Sequence, residues 1–185
     1  MAQQSTQLIP GTLAPNFALL DTLSDKLISL NDVASTKATV IMFICNHCPY
    51  VKHILPVLVQ LAAKYKAKGV NFVAINANDA DQYPQDGPRQ MKELAKQMQF
   101  PFPYLYDQTQ QVARNYLAEC TPEFYVFDGN MRLAYHGQFD ESRPGNDKPV
   151  SGHDLAQALD ALRAGQPLSG AQQPSIGCSI KWRMV

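Results

Sequence analysis

Two stretches of this chain are almost wholly apolar and rich in β-branched side chains. Residues 39–44 read Thr-Val-Ile-Met-Phe-Ile and residues 70–75 read Val-Asn-Phe-Val-Ala-Ile, the pattern of strands covered on both faces. Between them Val51, Ile54, Leu55, Leu58, Leu61, Ala62 and Tyr65 recur at three and four, which predicts an amphipathic helix ending at the lysines before Gly69. After a turn-rich entry at 11–16, two β-like pieces, 17–20 and 27–30, flank a polar tip at 21–26. Prolines, a glycine and aspartates make 76–89 a loop, and a helix over 90–98 follows. Residues 104–106 suit a short strand and 110–117 a short helix. Residues 124–127 and 131–136 read as strands joined by Asp128-Gly129-Asn130, a hairpin signal. A loop over 141–149, a last helix over 152–164 and an irregular tail over 165–185 complete the chain.

Strand, helix, strand, helix, hairpin, helix is the order of an α/β layer fold with a parallel centre and an antiparallel edge. The domain is expected over residues 1–164, with 165–185 as its tail. At 45% hydrophobic and 17% charged residues, the composition is that of a globular chain, not a disordered one. No apolar run reaches the roughly 18 residues of a membrane helix. Sixteen basic residues balance sixteen acidic ones, so the charge excess expected of a nucleic-acid binder is missing. The first seven residues, Met-Ala-Gln-Gln-Ser-Thr-Gln, have neither the charge nor the apolar run of a signal peptide. The expected compartment is the cytoplasm, where the four cysteines stay reduced and suit catalysis or metal binding better than stapling.

Cys45-Asn46-His47-Cys48-Pro49 falls where the first buried strand gives way to its helix, the turn where ligands collect in open α/β sheets. A C-x-x-C there places one sulfur at the positive end of a helix and the other within disulfide reach. Proline suits the first helical residue, so Pro49 makes Cys48 the N-cap and the nucleophile, with Cys45 upstream. His47 supplies a further donor that, when protonated, lowers a thiol pKa. Two inert packed cysteines are the bland alternative. A copper or zinc site built from the pair with His47, His53 or His136 is the functional one. Asp79, Asp81 and Asp86 lack calcium-loop spacing and read as turn formers.

Gly11-Thr12-Leu13-Ala14-Pro15-Asn16-Phe17 resembles the entry motif of the alkyl hydroperoxide reductase/thiol-specific antioxidant, or peroxiredoxin-like, branch of the thioredoxin superfamily. Residues 43–56 resemble the active-site turn and kinked helix of thioredoxin-like reductases, and Thr121-Pro122 resembles their cis-proline loop. The likeness runs from about residue 11 to residue 164. It implies a thioredoxin-like α/β fold, with a central mixed sheet flanked by helices and an N-terminal β extension. In such proteins a helix proline lies eight residues after the attacking cysteine, and Pro56 stands at that distance from Cys48. Val51 then occupies the usual resolving position, and Ile41 and Cys45 stand where peroxiredoxins carry proline and threonine. Either departure sets this chain apart from the standard activities.

The resemblance implies a thiol-dependent oxidoreductase in which Cys48 attacks a disulfide or a peroxide. Cys45 is the nearest resolving thiol, with Cys120 and Cys178 as alternatives, since peroxiredoxin-type enzymes often resolve with a tail cysteine. Thr121, Pro122 and His47 would border the substrate. No cofactor is expected. A thiol donor such as a thioredoxin or glutathione would return the electrons, and a homodimer is left open.

Overall fold

The computed structural model describes residues 2–184. The seven-stranded sheet at its centre has the order β3-β2-β6-β5-β4-β8-β9. Its strands are β2 (Ala18–Asp21), β3 (Leu27–Ser29), β4 (Ala38–Phe43), β5 (Val70–Asn76), β6 (Tyr104–Tyr106), β8 (Glu123–Phe127) and β9 (Leu133–Gly137). The two apolar runs are adjacent and parallel, Thr39 opposite Asn71 and Phe43 opposite Ile75. Every residue of β4 is buried, as its unbroken apolar sequence requires. The β8–β9 hairpin continues the sheet antiparallel from β4, with a register shift between Val126 and Phe127. Met131 lies in the left-handed region, so the last strand begins at Leu133, two residues later than the pattern predicts.

Helix α2 (Pro49–Lys66) buries Val51, Ile54, Leu55, Leu58, Leu61, Ala62 and Tyr65. Each large aliphatic side chain on that face stabilises the packing by about 1.5–3 kcal/mol. Pro56 lies inside this helix and has no N–H for the preceding turn. Helix α1 (Leu30–Val33) is opened by a capping box between Ser29 and Asp32, a single turn whose first residue, Leu30, the sequence pattern takes as the end of a strand. Helices α3 (Pro88–Gln97), α4 (Gln111–Asn115) and α5 (His153–Arg163) complete the layers. Two apolar clusters lie on the two sides of the sheet, one around Val40, Met42, Leu58 and Leu159, the other around Ile41, Phe43, Tyr116 and Tyr125.

The expectation of an irregular tail over 165–185 is corrected. Residues Ile176–Ser179 form β10, the middle strand of a second sheet between β1 (Ala2–Gln4) and β7 (Cys120–Thr121). Cys178 lies opposite Thr121 and also opposite Ala2. Strand β10 carries little hydrophobic alternation, because a glycine, a cysteine and a serine fill three of its four positions. Its neighbours, not its own periodicity, hold it extended.

Candidate active site

The sheet delivers residues 44–48 to the amino end of α2. Cys48 is the N-cap with an extended backbone, and Pro49 is the first helical residue, so the unpaired helical N–H groups face the Cys48 sulfur. The Val51 amide is one of the donors that stabilise its thiolate. Cys45 and Cys48 are in contact and both are buried. Every described cysteine is reduced.

The two thiols are driven apart in acidity. Cys48 falls from an ordinary 9.0 to about 5, chiefly because Cys45 donates a hydrogen bond to its sulfur, with further donors from Cys178 and Val51 outweighing burial. Cys45 rises well above its ordinary value, first through that same bond, then through burial and the charge of Asp86. Thus Cys48 is the thiolate and Cys45 its proton-bearing partner. The helix-terminal field is present through Val51, but the neighbouring thiol is the larger influence.

The Thr121–Pro122 bond is cis, and its loop lies against both sulfurs. As a thiol, Cys48 donates to the Thr121 carbonyl at 3.2 Å, and Cys45 Sγ lies 3.3 Å from Thr121 Oγ1. Cys178 also bears on this point, since its thiol and its amide are among the groups that lower the Cys48 pKa. Burial pushes the Cys178 thiol up to about 11, helped by Cys48. Cys120 faces elsewhere. Its sulfur lies 3.7 Å from Glu123 Oε2, and burial followed by the Glu123 charge raises its pKa.

His47 pairs through Nδ1 with the buried Asp86 carboxylate and stacks on Tyr83, ring centroids 5.1 Å apart. It is not among the main groups that lower Cys48. Asp86 is the side chain that sequence reasoning missed here. It accepts from the amides of Asn46 and His47 at 2.7 and 3.3 Å and from Asn78 Nδ2 at 2.8 Å, so it fixes the cysteine turn. Its sequence context is that of any loop aspartate, and only the fold brings it across to residue 46. Glu123 was missed too. Fully buried after the cis-proline, it accepts from the amides of Glu119 and Cys120 at 2.8 and 3.0 Å and from the Tyr125 hydroxyl at 2.8 Å. Its other neighbour is His136, with Nε2 at 2.8 Å.

Among the described residues, a metal reading has one geometric basis. Potential ligand atoms of Cys45, His47 and Asp86 lie within 4.8 Å of one another. The group omits Cys48, and Asp86 is already occupied by the turn. His136 is held between Glu123 and the Leu8 amide. His53 points no ligand atom into the group.

A family model described as "AhpC/TSA family" matches residues 10–136. The thiol-disulfide oxidoreductase ResA of Bacillus anthracis is 29% identical over 123 residues, covering 66% of this chain and 66% of that protein. The match therefore spans just under two thirds of the curated relative's length. A solved structure of an uncharacterized conserved protein from Geobacillus kaustophilus is 54% identical, with a TM-score of 0.97, covering 99% of this chain and 97% of that one. The thioredoxin domain of a thiol-disulfide oxidoreductase from Bacteroides vulgatus superposes with a TM-score of 0.63 at 17% identity, covering 83% of this chain and 99% of that domain. That last likeness shows the thioredoxin-like fold. With well over half of its length matched by one family model, the chain belongs to the AhpC/TSA family.

Proposed function

We propose that this protein is a thiol–disulfide oxidoreductase whose attacking group is the Cys48 thiolate. The observation that carries the reading is the Cys45–Cys48 pair at the start of α2, in which one sulfur is held as thiolate at about 5 by the other's proton. At neutral pH the nucleophile is already ionised, and it is a good leaving group when a reductant later attacks its disulfide. Family membership and the ResA likeness support thiol redox chemistry over the copper or zinc alternative. Two thiols bear on the acidity of Cys48, Cys45 and Cys178, and both are candidates to resolve its mixed disulfide. Cys120, turned to Glu123, is not.

Peroxide reduction is the second reading, favoured by the complete burial of Cys48, which suits a small oxidant. The two readings separate in one experiment. The reduced protein is mixed with one equivalent of an aromatic disulfide or of hydrogen peroxide, and free thiols are counted with time. Loss of two thiols with the disulfide, on a timescale where peroxide consumes none, is the expected result. The reverse order of rates would make the protein a peroxidase. Cys48→Ser should abolish both reactions. A cytoplasmic site of action and a thiol donor such as a thioredoxin or glutathione belong to the same proposal. No helix among the described residues is long and apolar enough to cross a membrane.

A further inference from the structure

The tail strand β10 lies on the cis-proline loop, and one glycine makes that possible. A Cβ on Gly177 would stand 1.9 Å from the Thr121 carbonyl oxygen and 2.5 Å from its carbon, distances no side chain tolerates. The Cys48 sulfur lies 3.2 Å from the same oxygen. Gly177 and Cys48 therefore both pack against one carbonyl oxygen. The next residue of the strand, Cys178, lies in register with Thr121 and packs against the apolar cluster that contains Cys48. The Ile180 amide donates to the Glu119 carbonyl at 3.1 Å and the Lys181 amide to Asn78 Oδ1 at 2.9 Å, so the strand is held beyond the cysteine as well.

We propose that Cys178, delivered by β10 within the same chain, is the thiol that resolves Cys48, and that the oxidised protein carries a Cys48–Cys178 disulfide. This rests on the reading of Cys48 as the attacking thiolate. In the first step Cys48 attacks a disulfide R–S–S–R′, forming Cys48–S–S–R and releasing R′S⁻. Cys178 then gives its proton to solvent, and its thiolate attacks the Cys48 sulfur. The bond to R breaks and RS⁻ leaves. Two electrons pass from the two cysteines to the substrate, which ends as two thiols. An external thiol reductant returns them.

Exposure and charge choose between the two neighbours of Cys48. Cys45 is 1% exposed and faces the Asp86 charge, which opposes its ionisation whether or not Cys48 is bonded. A Cys45–Cys48 disulfide would join two buried residues, whereas one joining Cys48 to Cys178 keeps one partner partly exposed. Cys178 is only partly buried and has the Lys181 charge working in its favour. A reductant that attacks its sulfur releases Cys48, the better leaving thiolate. In this arrangement Cys45 remains the hydrogen-bond donor to Cys48.

The test uses one equivalent of 4,4′-dithiodipyridine on the fully reduced protein, with thiopyridone counted by absorbance and linkages read by peptide mapping. The wild type and Cys45→Ser should each release two thiopyridones per protein, and mapping of the wild type should join Cys48 to Cys178. Cys178→Ser should release one and keep the probe on Cys48. Gly177→Ala, which retains the thiol but drives the strand off the Thr121 carbonyl, should also slow the second release. A Cys45–Cys48 linkage, two thiopyridones from Cys178→Ser, or an unaltered second release from Gly177→Ala overturns the assignment while leaving Cys48 as attacker. A Cys48→Ser protein that still releases thiopyridone at the wild-type rate removes the underlying reading, and the assignment with it.

Discussion

The acidity of Cys48 is set by its neighbours, so changing them should move it. Its first cause is the Cys45 thiol. Cys45→Ala should raise the midpoint of Cys48 alkylation from about 5 toward 9.0, read by iodoacetamide labelling against pH and mass spectrometry. An unchanged midpoint would mean that the helix terminus alone holds the thiolate. A stability consequence follows from the same depressed pKa. Between about 5 and 9.0 the unfolded chain keeps a proton on this sulfur that the folded chain does not. Stability of the reduced protein should therefore rise with pH across that window and be lost as pH falls through 5, by at most about 1.4 kcal/mol per pH unit. Urea midpoints of reduced wild type and Cys48→Ser at pH 5 and pH 8 test the sign. The gap must widen in favour of wild type at pH 8.

At the level of elements, the cysteine turn is fixed by a carboxylate forty residues away in sequence from Asn46. Hydrogen bonds to a charged group contribute roughly 1.5–3 kcal/mol each. Asp86→Asn keeps the shape but loses the charge. It should lower stability by about that amount for one bond and let the Cys45 thiol titrate at lower pH, because the Asp86 charge holds it up. Thiol labelling of the Cys48→Ser background reads the second effect, and denaturant midpoints read the first. A second element-level test lies at the β8–β9 turn. A Cβ on Gly129 would meet the Thr36 carbonyl oxygen at 2.4 Å, a backbone contact that cannot swing aside. Gly129→Ala should cost about 1–3 kcal/mol. A denaturant midpoint equal to wild type would show that the turn gives way without penalty.

These two scales differ in how much the sequence discloses. The buried strands, α2 and its N-cap announce themselves through Thr39 to Ile44, through Leu55 and Leu58 at helical spacing, and through Pro49, all local signals. The cis bond before Pro122 comes from resemblance, not from pattern. Asp86 and Glu123 carry no local mark, because what makes them important is a partner brought near by folding: Asn46 for one, His136 for the other. Strand β10 escapes for the same reason. Ile-Gly-Cys-Ser has no alternation to read, and its place is decided by Thr121 on one side and Gln3 on the other.

For the whole molecule, the consequence is that both ends of the described chain meet at the candidate active site. Strand β1 pairs with β10 through Ala2, Gln3 and Gln4. Just beyond, the Ser5 amide donates to the Ser175 carbonyl at 3.0 Å and its hydroxyl accepts from the Ser175 amide at 3.0 Å. Neither contact belongs to the two apolar clusters that flank the central sheet. Hydrogen bonds of this kind contribute about 0.5–1.5 kcal/mol each, enough together to set how often β10 lifts without affecting the core. Removal of residues 1–5 should therefore leave the global unfolding midpoint near wild type while amide exchange over 176–179 speeds up and that over 70–76 does not. Alkylation of Cys48, buried beneath this strand, should accelerate in parallel. Equal exchange at 176–179 in the shortened and complete chains would show that Thr121 and Gly177 alone hold the strand. A matched loss of protection over 70–76 would show that the small sheet is part of the cooperative core.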